Sequence, residues 1–421
     1  TVDANDDHQI RTADGDKAII LFGRRRGGST YTALDVTNPD APQLLYEINP
    51  STSGFSELGQ SWSRPAIGLV KVGTTDTHVA FISGGYDTNE DNRPVTLADT
   101  RGRAVYAFNV LTGAKVWDWA YDASDTQKSQ MVNAISSDIS ALDSDADGYI
   151  DRLYVGDLGG QLWRFEGTPN SPDITTWGGK IVFKAKEDGS DTARRKFMNP
   201  PDVIQESTFE VLLIGTGDRE NPLGTSPIDR FYSIRDNDPS SPYDETDLVD
   251  FTDDLLQTGT SAQKTSAENA LAASHGYFIR LVEDPTDTTG IGEKILSAPI
   301  TFLGVTVFTS FTPNTSLQVC ATGGTSRLYA LNYLTGVSVL NFDRTNDTGG
   351  ETGGDTVLAR SDRSRGAGYS MASSAVIALR HGSSGGPSTA MAYVGTGGGV
   401  EKEKLQNPPS NVMLIQWQQL L

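Results

Sequence analysis

VYAFNVLTG at residues 105–113 returns at residues 328–336 as LYALNYLTG. In both, side chains alternate about the backbone with a period of two, so each is a strand that sends one face to each side. The Asn and Thr of NVLTG and NYLTG can bond the turn backbone, and the Gly supplies positive φ, so each strand should run into a hairpin and an outer strand.

Working outward, each copy follows an apolar strand that ends in a glycine cluster. That inner strand recurs as AIILFGRRRGG from Ala18, VAFISGG from Val79, LYVGDLGG from Leu153, VLLIGTGD from Val211, VTVFTSF from Val305 and AYVGTGGG from Ala392. The strand after it is YTALDVT from Tyr31, VYAFNV from Val105, LWRFEG from Leu162, FYSIRDN from Phe231, LYALNY from Leu328 and VMLIQW from Val412. A first strand precedes several pairs (RPAIGLV from Arg64, SDISALD from Ser137, SAPITFL from Ser297, SSAVIAL from Ser373), and a fourth follows several (QLLYEI, KVWDWAY, KIVFKAK, GYFIRLV, VSVLNF). Six units of up to four short strands predict an all-β, modified β-propeller with 1–421 as one propeller domain. The first unit lacks a convincing first strand and the last lacks a fourth, which leaves room for a seventh blade completed from upstream. Residues 236–275 read as an insertion in the fourth unit, with one or two short helices before Gly276.

The 54 acidic and 34 basic residues give a net charge of −20, which argues against nucleic acid or an anionic membrane surface as a partner. No apolar run is long enough for a membrane-spanning helix. The N-terminus, TVDANDDHQI, has no signal-like pattern and runs straight into a strand, so the chain reads as the C-terminal part of a longer precursor. Cys320 is the single cysteine, which excludes an internal disulfide and a thiolate cluster.

Between the first and second strands of the third unit lies DSDADGYID, Asp143 to Asp151. It places carboxylates at positions 1, 3, 5 and 9 of a calcium loop and Gly at position 6. Ca²⁺ takes six to eight oxygens at about 2.3–2.6 Å, and alternate side chains of a curled loop converge on one point. Asp143, Asp145 and Asp147 would each give an oxygen. Gly148 permits the bend that turns the Tyr149 carbonyl inward, and Asp151 closes the ring directly or through water. Position 12 is Tyr154 rather than the bidentate Glu of a helix-flanked loop, so weaker, more exchangeable binding is expected. Aspartates also serve plain hairpin turns, but a turn needs one or two. Four within nine residues repel by roughly 4 kcal/mol per close pair at an effective dielectric of 20 unless a cation neutralises them. Mg²⁺ suits the loop less, because it keeps an octahedral, largely hydrated shell.

Several stretches resemble the C-terminal β-propeller of the PilC/PilY proteins of bacterial type IV pili: ELGQSWSRPAIG (57–68), RGRAVYAFNVLTG (101–113), TSFTPNTSLQVCATGGTSRLYALNYLTG (309–336), LVDFTDD, HGYFIRL and the closing VMLIQWQQLL. The resemblance implies a modified seven-bladed propeller at the outer membrane and pilus tip, reached through the periplasm. It implies calcium-dependent control of pilus extension against retraction, hence of twitching motility, with pilus subunits such as minor pilins and the host cell surface as partners. Carried over residue by residue, its calcium ligands fall on Asp143, Asp145, Asp147, the Tyr149 carbonyl and Asp151. The rival reading is an adhesin that calcium merely rigidifies and that binds a host receptor or glycan.

Enzymatic readings have less support. AFNVLTGAKVW, from Ala107 to Trp117, fits a blade motif of quinoprotein dehydrogenases, in which the Trp packs between blades; the motif therefore reports a propeller and not a cofactor. His8, His78, His275 and His381 lie in turn-like or polar contexts without partners at metal or triad spacing. GTGDRE from Gly215 and GTGGGV from Gly395 are not followed by helices, so neither is a phosphate loop. Arg24 to Arg26 read as a solvated charge cluster, and Asp14 with Asp16 are too few for a dedicated site.

Overall fold

The computed structural model describes residues 10–92, 95, 98–168, 171–185, 194–315, 323–347, 357–380 and 389–405. Among them are six sheets, one for each repeat unit. The first is β1 (Ile19–Gly23), β2 (Tyr31–Asp35) and β3 (Gln43–Ile48), with no strand before β1 among the described residues. The second is a four-stranded antiparallel meander of β4 (Ala66–Val72), β5 (Thr75–Ser83), β6 (Ala104–Asn109) and β7 (Lys115–Ala120). The third holds β8 (Ser140–Leu142), β9 (Arg152–Gly156), β10 (Gln161–Glu166) and β11 (Gly178–Lys184). The fourth begins with β12 (Asp202–Gln205), β13 (Glu210–Gly215) and β14 (Arg230–Asp236).

The insertion follows β14. It contributes β15 (Tyr243–Asp244), β16 (Val249–Asp250) and two helices, α1 (Leu255–Thr258) and α2 (Ser261–Ala273). Thr260 caps α2 through a reciprocal pair with Gln263, which starts the helix where the Ala-rich run begins. β17 (Gly276–Arg280) then returns to β14. The two short insertion strands pair in parallel with outer strands already in place: Tyr243 lies opposite Phe183 on β11, and Val249 opposite Tyr277 on β17.

The fifth sheet is built on β20 (Val305–Pro313) and β21 (Gly324–Asn332), with β18 (Lys294–Ile295) and β19 (Ile300–Phe302) on the inner side and β22 (Ser364–Tyr369) outside. The sixth is β23 (Val376–Arg380), β24 (Thr389–Thr396) and β25 (Gly399–Lys404).

Two expectations are corrected here. VSVLNF is not the outer strand of the fifth sheet; only Ser338 bridges Leu331, and β22 takes the edge of β21. The Gln257 side chain brackets Ser338, donating to its carbonyl at 2.9 Å and accepting from its N–H at 2.9 Å, so an amide from α1 replaces the ladder. In the sixth sheet the strand after AYVGTGGG is GVEKEK; VMLIQW lies outside the described residues, as do Cys320, His8 and His381.

Among the described residues two compact units emerge, one running to Leu158 and including Trp163–Lys180, the other made of Gly159–Leu162 and residues 181–405. In the first unit, Tyr31 and Ile48 of the first sheet pack with Ala80, Ile82, Tyr106 and Phe108 of the second. The opposite face of the second sheet meets aromatic residues: Phe81 stacks on Trp177 at 6.1 Å, and Trp117 meets Phe165 edge-on at 5.8 Å. Trp117 therefore does pack between sheets. In the second unit, Phe308 stacks between Phe231 at 4.4 Å and Tyr329 at 4.7 Å, while Val305, Val307, Leu328 and Ala330 face Ala390, Ala392 and Val394 of the sixth sheet. Alternate side chains thus serve alternate neighbours, the construction of a β-propeller.

The hairpin turns behave as read. Asn109 Oδ1 accepts from the N–H groups of Leu111 and Thr112 at 2.9 and 3.1 Å, and Asn332 does the same for Leu334 and Thr335 at 3.0 and 3.1 Å. Gly113 and Gly336 sit at φ +70° and +67°, each beneath a tyrosine ring: Tyr46, whose hydroxyl donates to the Val110 carbonyl at 2.7 Å, and Tyr277, whose hydroxyl donates to the Asn332 carbonyl at 3.2 Å. No helix among the described residues is long and apolar enough to cross a membrane.

Candidate metal centre

The acidic stretch is the hairpin between β8 and β9, where the sequence placed it. Ladder pairing ends at Leu142 opposite Arg152, and the Asp151 N–H donates to the Leu142 carbonyl at 2.9 Å, closing the neck of the loop. The neck is buried, with Ile150 6% and Asp151 5% exposed, whereas Asp145 to Gly148 at the tip are open to solvent.

Three of the five expected ligand residues converge. Asp143, Asp145 and Asp151 each offer a carboxylate oxygen, and the three oxygens lie within 4.8 Å of one another. That is about twice a Ca–O bond, the greatest separation that two oxygens on one such ion can have. The backbone makes the convergence. Ala146 and Gly148 are both left-handed, at φ +62° and +94°, and nothing lies within 4 Å of where a Gly148 Cβ would be, so glycine is required there by its torsion alone. Asp143 accepts from the N–H groups of Asp147 at 3.0 Å and Gly148 at 2.8 Å, curling the tip over its carboxylate.

Asp147 is outside that triad; its Oδ1 accepts from the Tyr149 N–H at 2.9 Å in a local turn. The Tyr149 side chain contacts β4. Lys71 Nζ sits 4.5 Å from the Tyr149 ring centroid and 3.2 Å from its hydroxyl, and pairs with Asp76 at 2.7 Å.

Asp151 is the least solvated carboxylate of the set. Burial raises its pKa, against the pull of two hydrogen-bond donors on Ser144, the N–H at 3.1 Å and the hydroxyl at 2.7 Å; the nearby Asp145 charge pushes the same way as burial. Buried and close to like charges, this group gains most from a neighbouring cation.

The docking of the hairpin involves residues that the motif does not contain. Ile150 N–H donates to the Leu69 carbonyl at 2.8 Å, and a Cβ on Gly68 would stand 2.3 Å from Ile150 Cγ1. Lys71 N–H donates to the Pro172 carbonyl at 2.9 Å, and Asp173 accepts from the Gly73 N–H at 3.0 Å. The only signal for Gly68 in sequence is a glycine inside a strand pattern, which marks close approach of another segment. Ser144, Lys71 and Asp76 carry no signal of their own.

The other residues singled out serve structure. Arg24 pairs with Glu47 at 2.5 Å, Arg26 with Asp91 at 2.7 Å, and Arg25 lies over the Trp62 ring. His78 is on β5, and His275 stacks on Tyr243 at 3.9 Å. Asp16 accepts from the Arg11 N–H at 2.7 Å.

The family model of the PilY1 beta-propeller domain matches residues 4–219. Type IV pilus biogenesis factor PilY1 of Pseudomonas aeruginosa strain UCBPP-PA14 is 25% identical over 409 residues, covering 82% of this chain and 33% of that protein. A PilY1 homolog of Xylella fastidiosa strain Temecula1 is 25% identical over 351 residues, covering 77% and 22%. This chain therefore spans a third or less of the length of these relatives. Among solved structures, the Pseudomonas aeruginosa PilY1 C-terminal domain superposes with a TM-score of 0.61 at 17% identity, covering 93% of this chain and 81% of that one, a likeness of fold.

Proposed function

Because this chain belongs to the PilY1 β-propeller domain family, we propose that it is the propeller of a type IV pilus biogenesis factor and that Ca²⁺ bound at the Asp143–Asp151 hairpin regulates pilus extension against retraction. Asp143, Asp145 and Asp151 would hold the ion, with Asp147 and the Tyr149 carbonyl completing the set. The observation that carries the reading is the convergence of three carboxylate oxygens within 4.8 Å on a hairpin that is closed at a buried neck.

The ion supplies positive charge that neutralises the repulsion between these carboxylates. The rest is the protein's own work. Ser144 and the N–H groups of Asp147 and Gly148 hold the carboxylates facing inward, and the bond from Ile150 to Leu69 ties the hairpin to β4. Occupancy selects one ordered surface of the loop, which pilus subunits or the host surface would read. A ligand at a hundred times its dissociation constant favours that state by about 2.7 kcal/mol, enough for a decisive switch. The non-enzymatic role is supported by relatives named as pilus biogenesis factors.

Titration calorimetry with Ca²⁺ on Asp151→Ala tests the site: affinity should fall about tenfold or more, and an affinity equal to wild type would remove it. Pulldown of minor pilins with and without Ca²⁺ tests the regulation. Capture that ignores the ion would favour the rigidified adhesin.

A further inference from the structure

We propose that the second unit carries a binding site for an acidic saccharide, a sugar bearing a carboxylate. The site is a cavity of about 650 Å³ between β17 of the fourth sheet and β21–β22 of the fifth, closed at one side by the turn Arg360–Arg363. That volume is in the range of small-ligand sites.

In a chain of net charge −20, five arginines line this one cavity. Three are held by carboxylates: Arg280 by Asp250, Arg363 by Asp254, and Arg365 by Glu401 and Glu403. Arg327 and Arg360 have no carboxylate partner among the described residues. Among the described residues Arg360 donates only to backbone carbonyls, those of Thr252, Glu283 and Val282 at 3.0, 2.8 and 2.7 Å. Among the described residues Arg327 donates only to Ser364, to its hydroxyl at 2.9 Å and its carbonyl at 3.4 Å. A guanidinium has five N–H donors, so Arg360 retains two and Arg327 three. Arg363, 3% exposed, adds a buried Nε without a hydrogen-bond partner. Unspent forked donors suit a planar carboxylate.

The rest of the lining indicates what the carboxylate is attached to. Glu293, 4% exposed, accepts from Ser310 at 2.5 Å and Tyr329 at 2.8 Å through Oε1, and its Oε2 accepts from none of the described residues. A buried carboxylate lining the same cavity as unspent guanidinium donors calls for hydroxyl donors on the same ligand that carries the anion. Phe342 adds an apolar face. Hydroxyls, one carboxylate and an apolar ring face together describe a uronate.

The test uses the purified chain at constant Ca²⁺, with digalacturonate as the probe, followed by saturation-transfer NMR and titration. Digalacturonate should bind, and its carboxyl-reduced counterpart should bind about tenfold more weakly or worse. Arg327→Gln and Glu293→Gln should each weaken binding about tenfold; Arg327→Gln should do so at an unchanged Tm, because among the described residues Arg327 bonds only Ser364. No saturation transfer to digalacturonate, equal binding of the reduced sugar, or full affinity in Arg327→Gln would each overturn the proposal. So would complete displacement by equimolar inorganic phosphate, which would make this a simple anion site.

Discussion

Gly68 on β4 and Ile150 in the acidic hairpin occupy one space: a single added methyl at Gly68 would fall 2.3 Å from Ile150 Cγ1. The first strand of one sheet therefore sets the position of the loop in the next. Gly68→Ala should lower stability by about 1–3 kcal/mol, the usual penalty of overpacking, and should weaken calcium binding by shifting the hairpin. Thermal denaturation and calorimetry read both effects. In Gly68→Ala/Ile150→Ala the calcium affinity should return; if it does not, the contact is not what positions the loop.

Calcium added to chelator-treated protein should raise Tm, by an amount corresponding to about 2.7 kcal/mol at a hundredfold excess over the dissociation constant. In Asp143→Asn/Asp145→Asn the rise should largely vanish. Asp151→Lys, which brings a cation to the neck, should show no further rise. A rise of full size in the double variant would place the ion elsewhere.

Asp99 and Glu90 are buried side by side in the segment between β5 and β6, 2% and 0% exposed. Burial and then the Glu90 charge push the Asp99 pKa up to about 7, against its bond from the Ala134 N–H at 2.7 Å. A carboxyl whose folded pKa is raised stabilises the fold below its unfolded value, near 4, and that contribution is lost as pH climbs through 7. Tm should therefore fall between about pH 4 and pH 7 and level off above it, and Asp99→Asn should flatten the fall. An identical pH profile in the variant would show that Asp99 does not titrate there.

Arg363 and Asp254 form a buried ion pair at 3.0 Å, their side chains 4% and 0% exposed. Asp254→Ala leaves the guanidinium uncompensated and should destabilise the second unit by about 3–5 kcal/mol. Asp254→Asn, which keeps an acceptor and tolerates the left-handed φ of +59°, should lose less. Denaturant melts compare the two, and equal losses would mean that the charge is immaterial.

Inner strands, NVLTG turns and the acidic hairpin were legible because each has a local cause: alternation, a side chain that bonds its own turn, and carboxylates at ligand spacing. β22 was not. SRGAGY has two glycines and little strand propensity; it becomes a strand because Gln257, from an insertion some eighty residues earlier, ties up Ser338 and leaves the edge of β21 open. β25 was missed for a different reason. GVEKEK is a charged outer strand, and the charges that keep such an edge soluble also hide it from a search for apolar runs. At the site, the triad was legible and its scaffold was not, since Gly68, Lys71 and Ser144 act through contacts that only the folded chain creates.

The insertion between β14 and β17 lays β15 along β11 and β16 along β17. Two neighbouring sheets thereby lose open ladders at their outer margins, positions where exposed backbone invites a foreign chain to add on. Excising the segment would unmask both margins at once, and the shortened protein would be expected to self-associate through them before any loss of its inner sheets.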